Sequence, residues 1–160
     1  MLQKVEATQN ERLLSGAAHA SVILGFFTNF LGGVVAAGLI WLAQRERSRW
    51  VAFQALQALV YQLIGLGVGI VIFGCWFLFY LASSIPIIAQ ADRYRDAPPP
   101  IFWVGLGSIC IPFLVMALWV LYGLYGALRA YSGADFRARS IGDWLARRSG
   151  GGYSPASGIK

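Results

Sequence analysis

The chain has 160 residues, of which 58% are apolar and 12% charged, with a net charge of +6. Soluble domains carry roughly 25% charged residues, so seven acids and thirteen bases cannot supply a water-facing surface for a fold of this size. The charges are also absent from 13–44, 50–91 and 97–128, and each of these runs exceeds the ~20 residues an α-helix needs to cross ~30 Å of hydrocarbon. Lipid offers a bare backbone no hydrogen bonds, so such runs form helices or a closed barrel. They lack the alternation of a barrel strand. The expected fold is therefore an all-α membrane protein with three embedded segments, about 17–43, 61–88 and 101–128. Residues 1–12 form a polar N-terminal segment, 13–139 one membrane domain and 140–160 a basic tail.

The first apolar segment is about twice as long as a cleavable signal core and runs into Arg45-Glu46-Arg47, so it is expected to remain in the mature protein. It carries a break signal at its centre, Thr28-Asn29 followed by Gly32-Gly33, which is poor helix interior. Either one kinked helix crosses here, or two half-helices form a hairpin that enters and leaves on the same side.

The connecting stretch QRERSRW places Arg45, Arg47 and Arg49 between Trp41 and Trp50. Indole prefers the headgroup level, so this marks a membrane–water interface. The next apolar run is too long for one crossing. Its start is interrupted by Gln54, Gln57 and Gln62 on one broad helix side, which predicts an interfacial helix over about 49–60 ahead of the crossing. Gly65 with Gly69, and Gly32 with Ala36, have the small-xxx-small spacing that lets helices approach closely.

A polyproline spacer follows in DRYRDAPPP. In the third segment Pro112 predicts a kink that frees the carbonyl of Ser108. The tail holds Arg137 and Arg139 and is weakly amphipathic, with Phe136, Ile141, Trp144 and Leu145 as candidate anchors, before the low-complexity SGGGYSPASGIK.

Lys and Arg bias sets orientation. If all three segments cross, nine basic residues lie on one side and four on the other; if the first is a hairpin, the division is eleven and two. Both place the Arg45–Arg49 loop, the C-terminus and the cytoplasmic anchors Arg45, Arg47, Arg49, Arg137 and Arg139 inside a bacterial plasma membrane, with the Pro-rich loop outside. The basic charge is thus accounted for without nucleic acid, for which no motif is present.

Chemistry-bearing residues are sparse. No carboxylate lies within an apolar run, which argues against an acidic proton relay. No nucleophile triad, phosphate loop or metal-ligand spacing occurs, so an enzyme is not expected and no cofactor or metal is assigned. His19, the single histidine, admits three readings: a hydrogen bond to a neighbouring helix or headgroup, ligation of a pigment or metal, or proton transfer. Cys75 and Cys110 are read as small packing residues. Asn29, Gln54, Gln57 and Gln62 are candidates either for helix contacts or for a polar path, and Gln62 is expected to bond a neighbouring helix near the Asn29 break.

Three stretches together resemble a family of small bacterial integral membrane proteins of uncharacterised function. They are ERLLSGAAHASVILGFF at 11–27, IWLAQRERSRWVAFQALQALVYQL at 40–63 and GALRAYSGADFR at 126–137. The family's middle histidine is Gln54 here, and its tail proline is Ala138 or Arg139. The resemblance implies a distant relation to the chloroplast Tic translocon channel subunit. The reading is a structural or interaction subunit of the inner membrane, touching lipid and other membrane subunits or further copies of itself. Its rivals are a Tic-like translocation component and an accessory subunit of a respiratory or photosynthetic complex.

Overall fold

The computed structural model describes residues 7–28, 31–134 and 136. Its helices are α1 (Gln9–Ala20), α2 (Val22–Phe27), α3 (Leu31–Gln44), α4 (Arg49–Ala89), α5 (Pro100–Gly107) and α6 (Cys110–Tyr131). They fall into two compact units, Met1–Gly65 with Val120–Lys160, and Leu66–Trp119.

In the first unit, α1 starts within the polar N-terminal segment, at Gln9. Thr8 accepts from the Glu11 backbone N–H while the Glu11 carboxylate accepts from the Thr8 N–H, a reciprocal cap that satisfies two otherwise orphaned donors. The expected break in the first apolar segment falls where α2 ends at Phe27 and α3 begins at Leu31; Asn29 lies outside the described residues. A second break, at Ser21 between α1 and α2, carries no Gly or Pro to announce it.

The segment is a hairpin. α3 has 14 residues, about 21 Å at 1.5 Å per residue, short of ~30 Å of hydrocarbon. The flanks also meet: Ser48 Oγ donates to Glu11 Oε1 at 2.6 Å, so the chain returns to the level where it started. The end of α6 reaches the same level, since a Cβ on Gly16 would lie 3.1 Å from Tyr131 Cβ and one on Gly133 3.1 Å from Arg12 Nε. Gly133 takes φ 77° and ends α6 with Gly133 N–H on Ala130 O and Ala134 N–H on Arg129 O, the left-handed cap that glycine favours.

The stretch 49–60 is not a separate interfacial helix. It is continuous with 61–88 as the single 41-residue α4, and Trp50, Val51, Ala52, Phe53, Ala55 and Ala58 are buried within the protein. The close-packed small residues of α3 are Gly33 and Ala37. Gly32 and Ala36 sit one position off and are half-buried, while Gly65 and Gly69 are buried.

In the second unit, Pro86 sits inside α4, where Ser83 and Ser84 both donate to the Tyr80 carbonyl. The third apolar segment divides at 108–109 rather than bending at Pro112. Pro112 falls in the first turn of α6, where no intrahelical N–H is needed. The Ser108 carbonyl accepts from Ile111 N–H at 3.0 Å, and its hydroxyl donates to Gly105 O. Gly105 is packed on Ser83, whose Oγ occupies the space a side chain there would need.

α4 and the stretch Pro100–Tyr131 are long and apolar enough to cross a membrane. Large side chains stand outward along them, among them Ile70, Leu78, Ile88, Leu114 and Leu128. An exposed apolar surface of this extent is untenable in water; this is an integral membrane protein and that surface faces lipid. Cys75 and Cys110 are free and exposed on it.

Candidate functional site: a buried polar network in the first unit

The first turns of α4 are rich in alanine and glutamine, and small neighbours let α1 and α6 close over the amides. Gln54 and Gln57 are 0% exposed, His19 4% and Gln62 5%. Each polar group taken from water into an apolar interior needs a partner, and the three amide nitrogens find theirs inside this chain.

Two clusters result. In one, Gln62 Nε2 donates to Ser21 Oγ at 2.9 Å and approaches Ala18 O at 3.5 Å. Ser21 Oγ donates to Ala18 O at 2.7 Å and lies 3.3 Å from Gly33 O, so this hydroxyl links both arms of the hairpin to α4. Gln62 Oε1 lies against Gly33 and has no hydrogen-bond partner among the described residues. Any Cβ at Gly33 would collide with that oxygen and stand 2.7 Å from Ser21 O. The glutamine therefore meets the Ser21 break and the start of α3.

In the other cluster, Gln54 Nε2 and Gln57 Nε2 donate to the same backbone carbonyl, that of Phe136, at 3.1 and 3.0 Å. With its amide nitrogen so committed, Gln54 turns Oε1 to His19 Nε2 at 3.2 Å. Oε1 only accepts, so the proton of this pair sits on His19 Nε2. The imidazole stands edge-on to the Phe136 ring at 5.3 Å between centroids, and Tyr122 and Tyr125 complete the aromatic enclosure. His19 makes a hydrogen bond to a neighbouring helix, through Gln54 of α4.

Phe136 is thus buried in protein instead of resting on the membrane surface. Its role had no sequence signal beyond an aromatic residue following a helix-stop glycine. Ser21 was hidden for the same reason: a serine in an apolar run usually bonds back to its own helix. Arg45, Arg47 and Arg49 are exposed at the base of the hairpin, Arg45 paired with Glu46 at 3.5 Å; Arg137 and Arg139 lie outside the described residues. The Glu11 carboxyl at that level is held below its ordinary value of 4.5, first by the Ser48 hydroxyl, against some desolvation, and then by Thr8.

A family model described as the magnetosome magnetite crystal formation protein family matches residues 10–145. No curated protein and no solved structure matches the chain. The relation to the Tic channel subunit implied by the resemblance is not among these matches.

Proposed function

The chain belongs to the magnetosome magnetite crystal formation protein family, and from that premise we propose that it is a non-enzymatic structural subunit of a crystal-bearing bacterial membrane. It shapes that membrane environment by packing against lipid and against other membrane subunits or copies of itself. The observation that carries this reading is where the polar side chains go. Gln54, Gln57, Gln62 and His19 bond to groups of their own chain, while the outward faces of α4 and α6 are apolar. Such a molecule offers its surroundings shape and apolar area.

The hairpin, with the meeting of its flanks at Glu11 and Ser48, favours the eleven-to-two division of basic residues. The N-terminus, the arginine loop and the tail would then face the cytoplasm and the Pro-rich loop the crystal side.

The test is complementation in a magnetite-forming bacterium lacking its own member of this family. Electron microscopy should find altered crystal size or shape without the gene, restored by the wild-type chain. Normal crystals in its absence would contradict the proposal. A translocation path lined by the three glutamines makes the opposite prediction in liposomes, where the purified chain should pass ions; a structural subunit should leave the vesicles tight.

A further inference from the structure

The hairpin of the first unit is anchored at one membrane surface and stops at mid-depth. Glu11 and Ser48 meet at its base, beside the exposed Arg45, Arg47 and Arg49. Trp41 marks the headgroup level on α3. The residue steps from Trp41 back to Leu31 rise about 15 Å, half of the ~30 Å hydrocarbon core. Thr28 lets the far end rest in hydrocarbon. Its hydroxyl donates to Leu24 O at 2.6 Å and accepts from Gly32 N–H at 2.8 Å, and its carbonyl accepts from Leu31 N–H at 3.2 Å. Backbone groups of both arms thus find partners within the chain, as lipid requires. Gly32 leaves room for this hydroxyl, which any Cβ there would strike. Around it Leu24, Phe26, Phe27 and Leu31 are exposed, Phe27 at 78%. The arms are not free to splay, because Ser21 Oγ links them to each other and to Gln62 of α4, and His19 bonds Gln54.

From this geometry we infer that the half-depth hairpin is a wedge in one leaflet, and that the partner it fits is a lipid surface curved convexly toward the arginine-loop side. α4 and the stretch Pro100–Tyr131 are long enough to cross both leaflets and so add area to each. The hairpin adds area to one leaflet only: two helical arms about 10 Å across displace on the order of 150 Å² there. A leaflet expanded alone relaxes by becoming the outer, convex face, and insertion into one leaflet is curvature-sensitive for that reason. The buried polar network gains a purpose from this, since a hairpin fastened to a spanning helix keeps its place and its volume under the lateral pressure of the lipid. In the orientation proposed above, the favoured membrane is a bud or vesicle with the Pro-rich loop in its lumen. The inference rests on that reading of a membrane-shaping subunit and adds the kind of membrane it selects.

Membrane tethers pulled outward from giant vesicles of phosphatidylcholine and phosphatidylglycerol holding the full chain test this without any crystal. The chain carries Cys75→Ala, Cys110→Ala and one new thiol, either Asn10→Cys beside the hairpin base or Ala97→Cys in the Pro-rich loop, labelled from outside with an impermeant dye. Dye at position 10 marks chains with the base outward, and dye at position 97 marks the opposite orientation. Relative to a lipid dye, base-outward chains should be enriched in the tether over the parent vesicle and base-inward chains depleted. Leu24→Ala, Phe27→Ala and Leu31→Ala together take volume from exposed side chains at the deep end of the hairpin and should bring both ratios closer to one. Equal or reversed partition of the two orientations would overturn the wedge, as would ratios that this trimming leaves unchanged. Altered crystals in the complementation test with no sorting into tethers would leave the structural role standing and remove the wedge alone.

Discussion

The two units hold themselves together by different means. The first, Met1–Gly65 with Val120–Lys160, breaks its backbone twice and ties the pieces with buried amides, a hydroxyl and an imidazole. In the second, Leu66–Trp119, Ser83 is the one buried polar side chain among the described residues. Close approach at Gly105 does the work there, with ring pairs such as Phe73–Phe113 and Tyr80–Phe102. Lipid tails are as apolar as leucine, so burying apolar surface does not choose among helix arrangements in a membrane. Hydrogen bonds and small residues choose; the first unit uses both, while the second, itself divided at 108–109, uses the close approach at Gly105.

The contrast is sharpest at the glycines. Gly33→Val should be the most damaging single change, destabilising by ~3 kcal/mol through overpacking against Gln62 and Ser21; thermal unfolding in detergent checks it, and a cost under ~0.5 kcal/mol, the scatter of an ordinary surface substitution, would break the comparison. Gln54→Leu comes next, at ~1–2 kcal/mol, because the His19 Nε2–H loses its acceptor and Phe136 loses one donor. In the second unit, Gly105→Ala should cost ~1 kcal/mol against Ser83 and be rescued by adding Ser83→Gly. By contrast Gly67→Ala, with nothing within 4 Å of the new Cβ, should be neutral or stabilise by up to ~1 kcal/mol through helix propensity.

The smallest effect belongs to Glu11. Its pKa is depressed in the folded chain, so its contribution is present above the ordinary value of 4.5 and is lost as pH falls through the lower folded value. Glu11→Gln should therefore unfold at a lower temperature than wild type near neutral pH, and the gap should close in acid. A gap independent of pH would locate the effect in packing and not in the carboxylate.

Much of the first unit was legible in the sequence where residue chemistry is costly in lipid. Charge-free runs gave the embedded segments, the Thr28–Gly33 composition marked a break, and the glutamines of α4 had to find protein or water. What could not be read was which groups would meet. Ser21 and Phe136 supply partners through a hydroxyl and a backbone carbonyl, and neither group varies from the background of an apolar run or a polar tail. The Thr8–Glu11 capping box has the right spacing in the sequence but stands in a polar segment ahead of the apolar run, so hydropathy did not mark a helix start there. Pro112 misled because its place within a helix, first turn or middle, depends on where the helix starts, and Ser108 decides that locally.

The most direct test of the hairpin is thiol labelling with an impermeant reagent of intact cells of a host that makes no crystals and holds the chain in its plasma membrane, where the crystal side of the chain becomes the outer side. Cysteine is placed singly at Thr8 or Ala97 in a chain whose Cys75 and Cys110 are replaced by alanine. The expected result is that position 97 reacts and position 8 reacts only after the cells are opened. Equal reaction of both positions in intact cells would place the N-terminus and the Pro-rich loop on one side, and would contradict a first segment that enters and leaves the membrane at Glu11 and Ser48.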